Sequence, residues 1–277
     1  MIPTTYNNKV IRPGVILIIS TWTLVFFCIS SCVKPQGETQ FELAQAHEDT
    51  KEYLAALKIY EKIFQTSSNK DLVLLSAFRA QEISYLQLKD YKKTRKYLLY
   101  FIANAKSFGE SQEALKRLAN IEHKTLNLYE AAIGTYYRIL GSAKLEKSEE
   151  KTFRLEMARC YYAINKFEEA LQELQRINLI EEPDDEKVTV MMLMANIFQS
   201  QGKTTLSLEL IDKILELQIS ENNRKDVVLN KVIVLEHEEK YKEALQALEK
   251  LSSSSEVIES KKNQLKRLAT FQRSRRQ

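Results

Sequence analysis

The stretch Asn165-Lys166-Phe167-Glu168-Glu169-Ala170-Leu171 joins two predicted helices and sets the pattern for the rest of the chain. Before it, apolar side chains recur every three or four residues through residues 153–164. After it, the same spacing continues through Leu174 and Ile177. The sequence therefore predicts a helix, a tight turn at the Asn-Lys pair, and a second helix.

The same signature recurs along the chain at a nearly constant period. Successive copies of the position held by Phe167 are separated by 38, 38, 38, 37 and 37 residues. A small or nearly small residue follows each copy three places later. A fixed period with one residue class at each phase indicates a stacked array of equivalent units. The first position is held by Tyr53, Tyr91, Tyr129, Phe167, Thr204 and Tyr241, and the second by Ala56, Thr94, Ala132, Ala170, Ser207 and Ala244.

Each unit resembles a tetratricopeptide repeat, which has an aromatic residue just after its turn and a small residue three places on. In that family the aromatic side chain fills the gap between the paired helices, and the small residue lets the backbones approach. The resemblance implies an all-α, right-handed solenoid of about six helical hairpins over residues 41–254. Residues 255–277 are predicted to form a lone, basic capping helix and tail, because repeat arrays need to shield their final face.

Composition supports a helical protein and argues against some functions. Only 6 Gly and 4 Pro interrupt 277 residues, which favours long helices with short connections. The net charge is +4, but seven bases and no acid lie in residues 261–276. Without these bases and the two in the leader, the middle of the chain carries about −5. Such a body is not predicted to bind nucleic acid.

Residues 1–31 have the pattern of an export signal. Lys9 and Arg12 precede an apolar run over residues 15–29, which is short for a membrane span. The run ends in Ile29-Ser30-Ser31-Cys32, which resembles the lipobox of bacterial lipoproteins. The resemblance implies cleavage before Cys32, lipidation of its thiol, and a short tether over residues 32–40.

Two alternatives to lipidation stay open at this stage. Cys32 could be an ordinary cysteine after a nearby signal-peptide cut, or the apolar run could remain as an uncleaved anchor. All three interpretations place the body on the periplasmic side, because the basic flank holds the amino end in the cytosol. Val33 stands where an acidic residue often retains such lipoproteins at the inner membrane, so the outer membrane is favoured.

Candidate catalytic and metal-binding residues do not converge in the sequence. Cys28 lies in the leader and Cys32 is assigned to the lipid, which leaves Cys160 as a small apolar residue on a helix. The histidines are too far apart for a local metal motif, so a packing role is expected, with a single metal ligand as the alternative. They are His47, His123 and His237.

Two further motifs have structural explanations. Gly202-Lys203-Thr204 matches the end of a phosphate-binding loop, but that motif requires another glycine five residues earlier, where Ile197 stands. Gly202 is instead predicted to make the tight turn of the fifth hairpin. The carboxylate pairs are expected at a helix start (Glu168-Glu169) and in a linker (Asp184-Asp185). We therefore predict no enzyme activity, no metal and no cofactor.

The tetratricopeptide resemblance also implies a ligand groove lined by the first helix of each hairpin. In that family, the residues that line the groove lie 12, 8 and 5 residues before each aromatic position. In this chain they select bases that suit a peptide carrying carboxylates, together with apolar and amide neighbours. The alternative is that these are ordinary exposed helix residues. The selected residues are Arg79, Ile83, Arg117, Ile121, Lys124, Arg159, Tyr162, Asn196 and Gln199.

These observations together predict a lipid-anchored scaffold or adaptor that binds proteins during assembly of a bacterial cell envelope. The plan is similar to the repeat lipoproteins of outer-membrane barrel assembly and to pilotin lipoproteins, although the chain lacks the Tyr-Pro or Asn-Pro step of the former. A structural envelope linker and a regulator of a cell-wall enzyme are the alternatives. The basic tail is expected to be a solvated helix face, a contact for anionic lipid or polymer, or a contact for an acidic partner.

Overall fold

The computed structural model describes residues 36–141, 145–177, 183–251 and 256–275. The predicted signal peptide and Cys32 lie outside these residues. The described part consists of helices and connecting turns, without a β-strand. Its helices are α1 (Gln36–Asp49), α2 (Tyr53–Thr66), α3 (Lys70–Glu82), α4 (Tyr91–Asn104), α5 (Phe108–Asn120), α6 (Tyr129–Leu140), α7 (Lys147–Ala163), α8 (Phe167–Gln175), α9 (Asp184–Ser200), α10 (Thr204–Glu216), α11 (Glu221–His237), α12 (Tyr241–Glu249) and α13 (Glu256–Arg275).

Six helical hairpins are formed by α1 to α12, and the second helix of each begins at the position predicted for the repeat aromatic. The residue two places earlier has a positive φ in every hairpin, which ends the first helix in a left-handed conformation. Gly202 fills this place in the fifth hairpin, so its predicted role in the turn is confirmed. The six residues are Lys51, Lys89, Asn127, Asn165, Gly202 and Glu239.

Two first helices end in a π-helical turn that the sequence did not reveal. Helix α3 continues into Ile83–Gln87 and α5 into Ile121–Thr125. The bond that closes the turn of the third hairpin runs from the Leu128 N–H to the Glu122 carbonyl, six residues back. In the fourth hairpin it spans five residues, from Lys166 to Tyr161. Each π turn therefore adds one residue between the first helix and the repeat aromatic. Equivalent positions of that helix lie one residue further from the aromatic than in a hairpin without a π turn.

The described helices fall into two compact units, Met1–Ala105 and Lys106–Gln277. The first unit contains α1 to α4, in which each helix packs on the next. Its core is centred on Tyr60 and Tyr97, whose side chains are fully buried. Their hydroxyl groups donate to Glu48 (2.6 Å) and Glu61 (2.7 Å), so neither buried hydroxyl lacks a partner.

The second unit contains α5 to α13, again with consecutive helices in contact. The first helices α7, α9 and α11 of successive hairpins also contact one another in series. Helix α13 packs on α12 through buried Ile258 and Leu265, and within the described residues it is not followed by a partner helix. This arrangement confirms the predicted all-α class of stacked hairpins ending in a lone helix.

Two local predictions are corrected. Asp184 and Asp185 begin helix α9 instead of lying in a linker. Asp185 accepts hydrogen bonds from the Ser220 N–H (2.8 Å) and the Asn223 amide (2.7 Å), which ties this helix start to the next hairpin. Helix α1 begins at Gln36, inside the segment predicted as a tether, with Glu38 in its first turn, where its charge favours the helix dipole.

Candidate functional site

The residues three places after the repeat aromatic lie where paired helices meet. Ala56, Ala132, Ala170 and Ala244 are all fully buried. The aromatic side chains are half-buried and pack on the preceding helix or π turn, as Phe167 does on Tyr162 with ring centroids 6.0 Å apart. Small side chains at these crossings allow the backbones of the paired helices to approach closely. Tyr53, Tyr91, Tyr129 and Tyr241 are likewise half-buried.

The predicted groove residues are divided between the two units. Arg79 lies in the first unit, where it binds Glu48 (2.6 Å) and Glu82 (3.1 Å). Glu48 also accepts the Tyr60 hydroxyl hydrogen bond. Arg79 therefore joins α3 to α1 within the unit, and much of its charge is already balanced. Of the other eight selected residues, Ile83 also lies in the first unit. The remaining seven lie in the second unit: Arg117, Ile121, Lys124, Arg159, Tyr162, Asn196 and Gln199.

In the second unit, Glu156 on α7 pairs with two of the bases that were predicted to line the groove, Lys124 and Arg159, and also with His123. Its carboxylate lies 3.2 Å from His123 and 3.4 Å from Arg159. Burial raises its pKa, but the hydrogen bonds from His123 and Lys124 and the nearby charges of Lys124 and Arg159 outweigh burial and lower the pKa of Glu156 to about 2. The carboxylate is therefore ionised at neutral pH and neutralises part of this basic surface.

The surroundings of Glu156 are polar and mostly buried. His123 is 7% exposed, and its Nδ1 atom lies 3.2 Å from the Tyr136 hydroxyl. Cys160 is fully buried, and burial together with the Glu156 charge raises the pKa of its thiol to about 12. A thiol held in its neutral form is a poor nucleophile. His123 and Lys124 lie on the π turn that follows α5, so their contacts with Glu156 connect this turn to α7. We call the cluster of His123, Lys124, Glu156 and Arg159 the Glu156 clasp.

The π turns explain why part of the groove prediction is wrong. Ile83 and Ile121 were expected to line the groove, but they are 3% and 0% exposed. The π turn inserts one residue between the groove positions and the aromatic. A fixed count back from the aromatic therefore reaches the residue next to the intended one. Lys116, next to predicted Arg117, is the side chain that binds Glu149 of α7 (2.7 Å). Arg117 itself is half-buried.

Helices α7 and α9 carry the remaining predicted groove residues. Tyr162 and Asn196 are half-buried, as are Arg159 and Gln199. The Tyr162 hydroxyl lies 3.1 Å from the Ser200 hydroxyl, so a hydrogen bond crosses from α7 to α9. These side chains form a partly exposed polar surface on contacting first helices.

An apolar groove between α11 and α13 was not predicted from the sequence. Leu229 and Ile233 of α11 face Val257 of α13 across a groove of about 900 Å³, with buried Val232 and Ile258 also lining it. We call it the α11/α13 groove. The positions 12 and 8 residues before Tyr241 are Leu229 and Ile233, so extending the groove count to the sixth hairpin would have identified one wall.

The described part of the chain contains neither a metal-binding cluster nor a membrane-spanning helix. No group of three or more His, Cys, Asp and Glu side chains there has an arrangement that could hold a metal ion. His47 pairs with Glu52 at 2.6 Å, and His237 is largely exposed. Among residues 36–141, 145–177, 183–251 and 256–275, no helix is long and apolar enough to cross a membrane.

The geometry defines a protein of stacked helical hairpins of the tetratricopeptide type, with two-helix repeats, left-handed turn residues and small residues at the helix crossings. No protein-family model and no curated protein sequence matches the chain.

Solved structures with this architecture are similar to the chain. PilW, a widely conserved type IV pilus biogenesis factor, is 14% identical over 82% of this chain and 99% of its own, with a TM-score of 0.47. YrrB, a TPR protein with an unusual peptide-binding site, is 14% identical over 65% and 84%, with a TM-score of 0.44. A structure of nearly identical TPR-like repeats, attributed to a kinesin light chain from Podosopora anserina, is 15% identical over 65% and 93%, with a TM-score of 0.43.

Proposed function

We propose that this chain is a lipid-anchored scaffold that binds partner proteins during assembly of a bacterial cell envelope. The observation that carries the binding function is the surface formed by the contacting first helices α7, α9 and α11. Helix surfaces of this kind present side chains at fixed spacing and suit an extended peptide or a partner helix. The polar side chains of Tyr162, Asn196 and Gln199 are partly exposed on α7 and α9, and apolar groups dominate at the α11/α13 groove.

The proposed anchor rests on the sequence at the amino end. An apolar run followed by Ile29-Ser30-Ser31-Cys32 has the residue types of a lipidation site. Several acyl chains on Cys32 would hold the body at a membrane, since each buried methylene contributes about 0.8 kcal/mol. We place the body in the periplasm, and Val33 leads us to favour the outer membrane.

Site-specific crosslinking tests the binding function. A photoreactive residue is introduced at Tyr162 or Asn196 in the full chain and activated in the native envelope. We expect a discrete adduct from these positions, and a weaker one when Arg159→Glu reverses a neighbouring charge. Leu206, which is 45% exposed on the second helix α10, is the control position. Equal adducts from Leu206 and Tyr162 would contradict binding at the first-helix surface.

Metabolic labelling with a fatty-acid analogue tests the anchor separately. We expect the wild-type chain to carry the label and to sediment with membranes, and Cys32→Ser to lose both properties. Membrane sedimentation of Cys32→Ser without label would instead support an uncleaved anchor. An unlabelled wild-type chain in the soluble fraction would contradict anchoring altogether.

A further inference from the structure

The α11/α13 groove exposes large apolar side chains that nothing in the described second unit covers. Ile233 is 57% exposed and Val257 is 77% exposed. They belong to different helices and line the same groove, whose floor contains the buried side chains Val232 and Ile258. Single exposed apolar residues are common, but exposed apolar residues that gather on a groove mark an interaction site.

The groove has dimensions suited to a short helical segment. Its lining on α11 runs from Lys225 to Ile233, and its lining on α13 runs from Glu256 to Gln264. Eight residue steps along each helix correspond to about 12 Å, or a little over two helical turns. A partner helix could place apolar residues at positions i, i+4 and i+7 along this length.

The α13 wall continues beyond the groove with the same character. A stripe at helical spacing runs through Val257, Lys261, Gln264, Leu268, Phe271 and Arg275. Phe271 is 59% exposed, and the Arg275 guanidinium lies 5.3 Å from its ring centroid. One flank of the helix therefore carries three apolar side chains, two bases and one amide.

The charges around the groove select the chemistry of the partner. Lys225 forms no ion pair within the described residues, and Lys261 binds Glu236 at 2.8 Å. Helix α13 carries six bases against two acids, Glu256 and Glu259. A partner whose polar face is acidic would approach this surface favourably, whereas a basic one would be repelled.

We propose that the α11/α13 groove binds an amphipathic helix of a partner protein, with apolar residues on one face and acidic residues on the other. This proposal rests on the protein-binding function proposed above and names the partner class. The apolar face would cover Leu229, Ile233 and Val257, and the acidic face would lie near Lys225 and the bases of α13.

Binding of two designed peptides tests the proposal. Both are 16-residue alanine-based helices with leucines at i, i+4 and i+7, and the opposite face carries glutamates in one and lysines in the other. Fluorescence anisotropy with the full chain measures affinity at 50 mM and 300 mM salt. We expect the glutamate peptide to bind at least tenfold more tightly at 50 mM and to weaken severalfold at 300 mM. Equal binding of the two peptides would overturn the charge argument.

Variants locate the binding site. Ile233→Ser combined with Val257→Ser should weaken binding of the glutamate peptide at least tenfold, and Lys225→Glu should weaken it about threefold. Leu206→Ser is the matched control, because Leu206 is also exposed and apolar but lies outside the groove. Unchanged affinity in the double variant, with its helical circular dichroism preserved, would overturn the proposal.

The proposal would be refuted if the groove bound a lipid membrane or a second copy of the chain instead of a partner helix. Cosedimentation with vesicles of phosphatidylglycerol and phosphatidylcholine, without peptide binding, would assign the surface to a lipid membrane. Dimerisation that Ile233→Ser abolishes would assign it to a second copy of the chain. Specific crosslinking from Tyr162, together with failure of the glutamate peptide to bind, would retain the scaffold function and reject only this partner class.

Discussion

The Glu156 clasp and the α11/α13 groove lie in the same unit, and each is formed where two neighbouring helices of the array meet. The two regions differ in whether their side chains find partners within the unit. At the clasp, side chains of α7 and of the π turn after α5 pair around a partly buried carboxylate. At the groove, one ion pair, between Lys261 and Glu236, accompanies apolar side chains that remain exposed. Charged side chains in a repeat array can therefore stabilise the array itself, while its uncovered apolar surface remains available to a partner.

The largest effect that distinguishes these regions should come from Glu156→Gln. The substitution leaves His123 and Lys124 without their ionised partner, and breaking a partly buried ion pair costs about 3 kcal/mol. We expect the free energy of unfolding of the second unit to fall by about this amount in urea denaturation followed by circular dichroism.

Glu149→Gln is the control for this substitution. Glu149 also pairs with a base of α5, Lys116, but its carboxyl group lies at the surface. Exposed pairs contribute little to stability because water screens them. If Glu149→Gln lowered the free energy of unfolding as much as Glu156→Gln, burial of the Glu156 carboxylate would not explain the contribution of the clasp to stability.

The hairpin architecture was predictable because it rests on local signals that repeat. An aromatic residue, a small or nearly small residue three places on and a polar turn predicted the start of α8, and the same signals predicted the starts of α2, α4, α6 and α12. Gly202 could be assigned to a turn despite the missing aromatic, because its place in the period matches that of Asn165. Helical periodicity and turn chemistry act over a few residues, so a single sequence contains them.

The chemistry of the first-helix surface was less predictable, for two physical reasons. A π turn adds one residue without changing the apolar pattern around it, so the groove count reached buried Ile121. The partner of Lys124 is Glu156, 32 residues away, and helical spacing cannot identify such a pair. Exposed Val257 escaped notice because the groove also requires α13, which lies outside the hairpin period.

Acid should reduce the contribution of the clasp to stability. The native pKa of Glu156 is about 2, below the ordinary value of 4.5, so the ionised carboxylate stabilises the fold above about pH 4.5. That contribution is lost as the pH falls from 4.5 towards 2. We expect the difference in unfolding free energy between wild type and Glu156→Gln to shrink by about 2 kcal/mol between pH 5.5 and pH 3.

Comparison with the variant isolates Glu156 from the other carboxylates that titrate in this range. Glu61 in the first unit also has a lowered pKa: burial raises it, but hydrogen bonds from Tyr97 and Lys93 outweigh burial, and this contribution is common to both proteins. A difference that stays constant from pH 5.5 to pH 3 would contradict the clasp as the source of the acid sensitivity.

The smallest effect on stability is expected on the open side of the groove. Ile233 is 57% exposed, so Ile233→Ala removes few packed atoms and should change the free energy of unfolding by less than about 0.5 kcal/mol. Its sequence neighbour Val232 is 1% exposed, and Val232→Ala should cost about 2 kcal/mol in the same urea titration. Equal losses would mean that Ile233 is packed in solution and that the groove is closed. If only Val232→Ala lowered the free energy of unfolding, Ile233 would not be needed for the stability of the array. An exposed apolar side chain that the fold does not need is available to bind a partner.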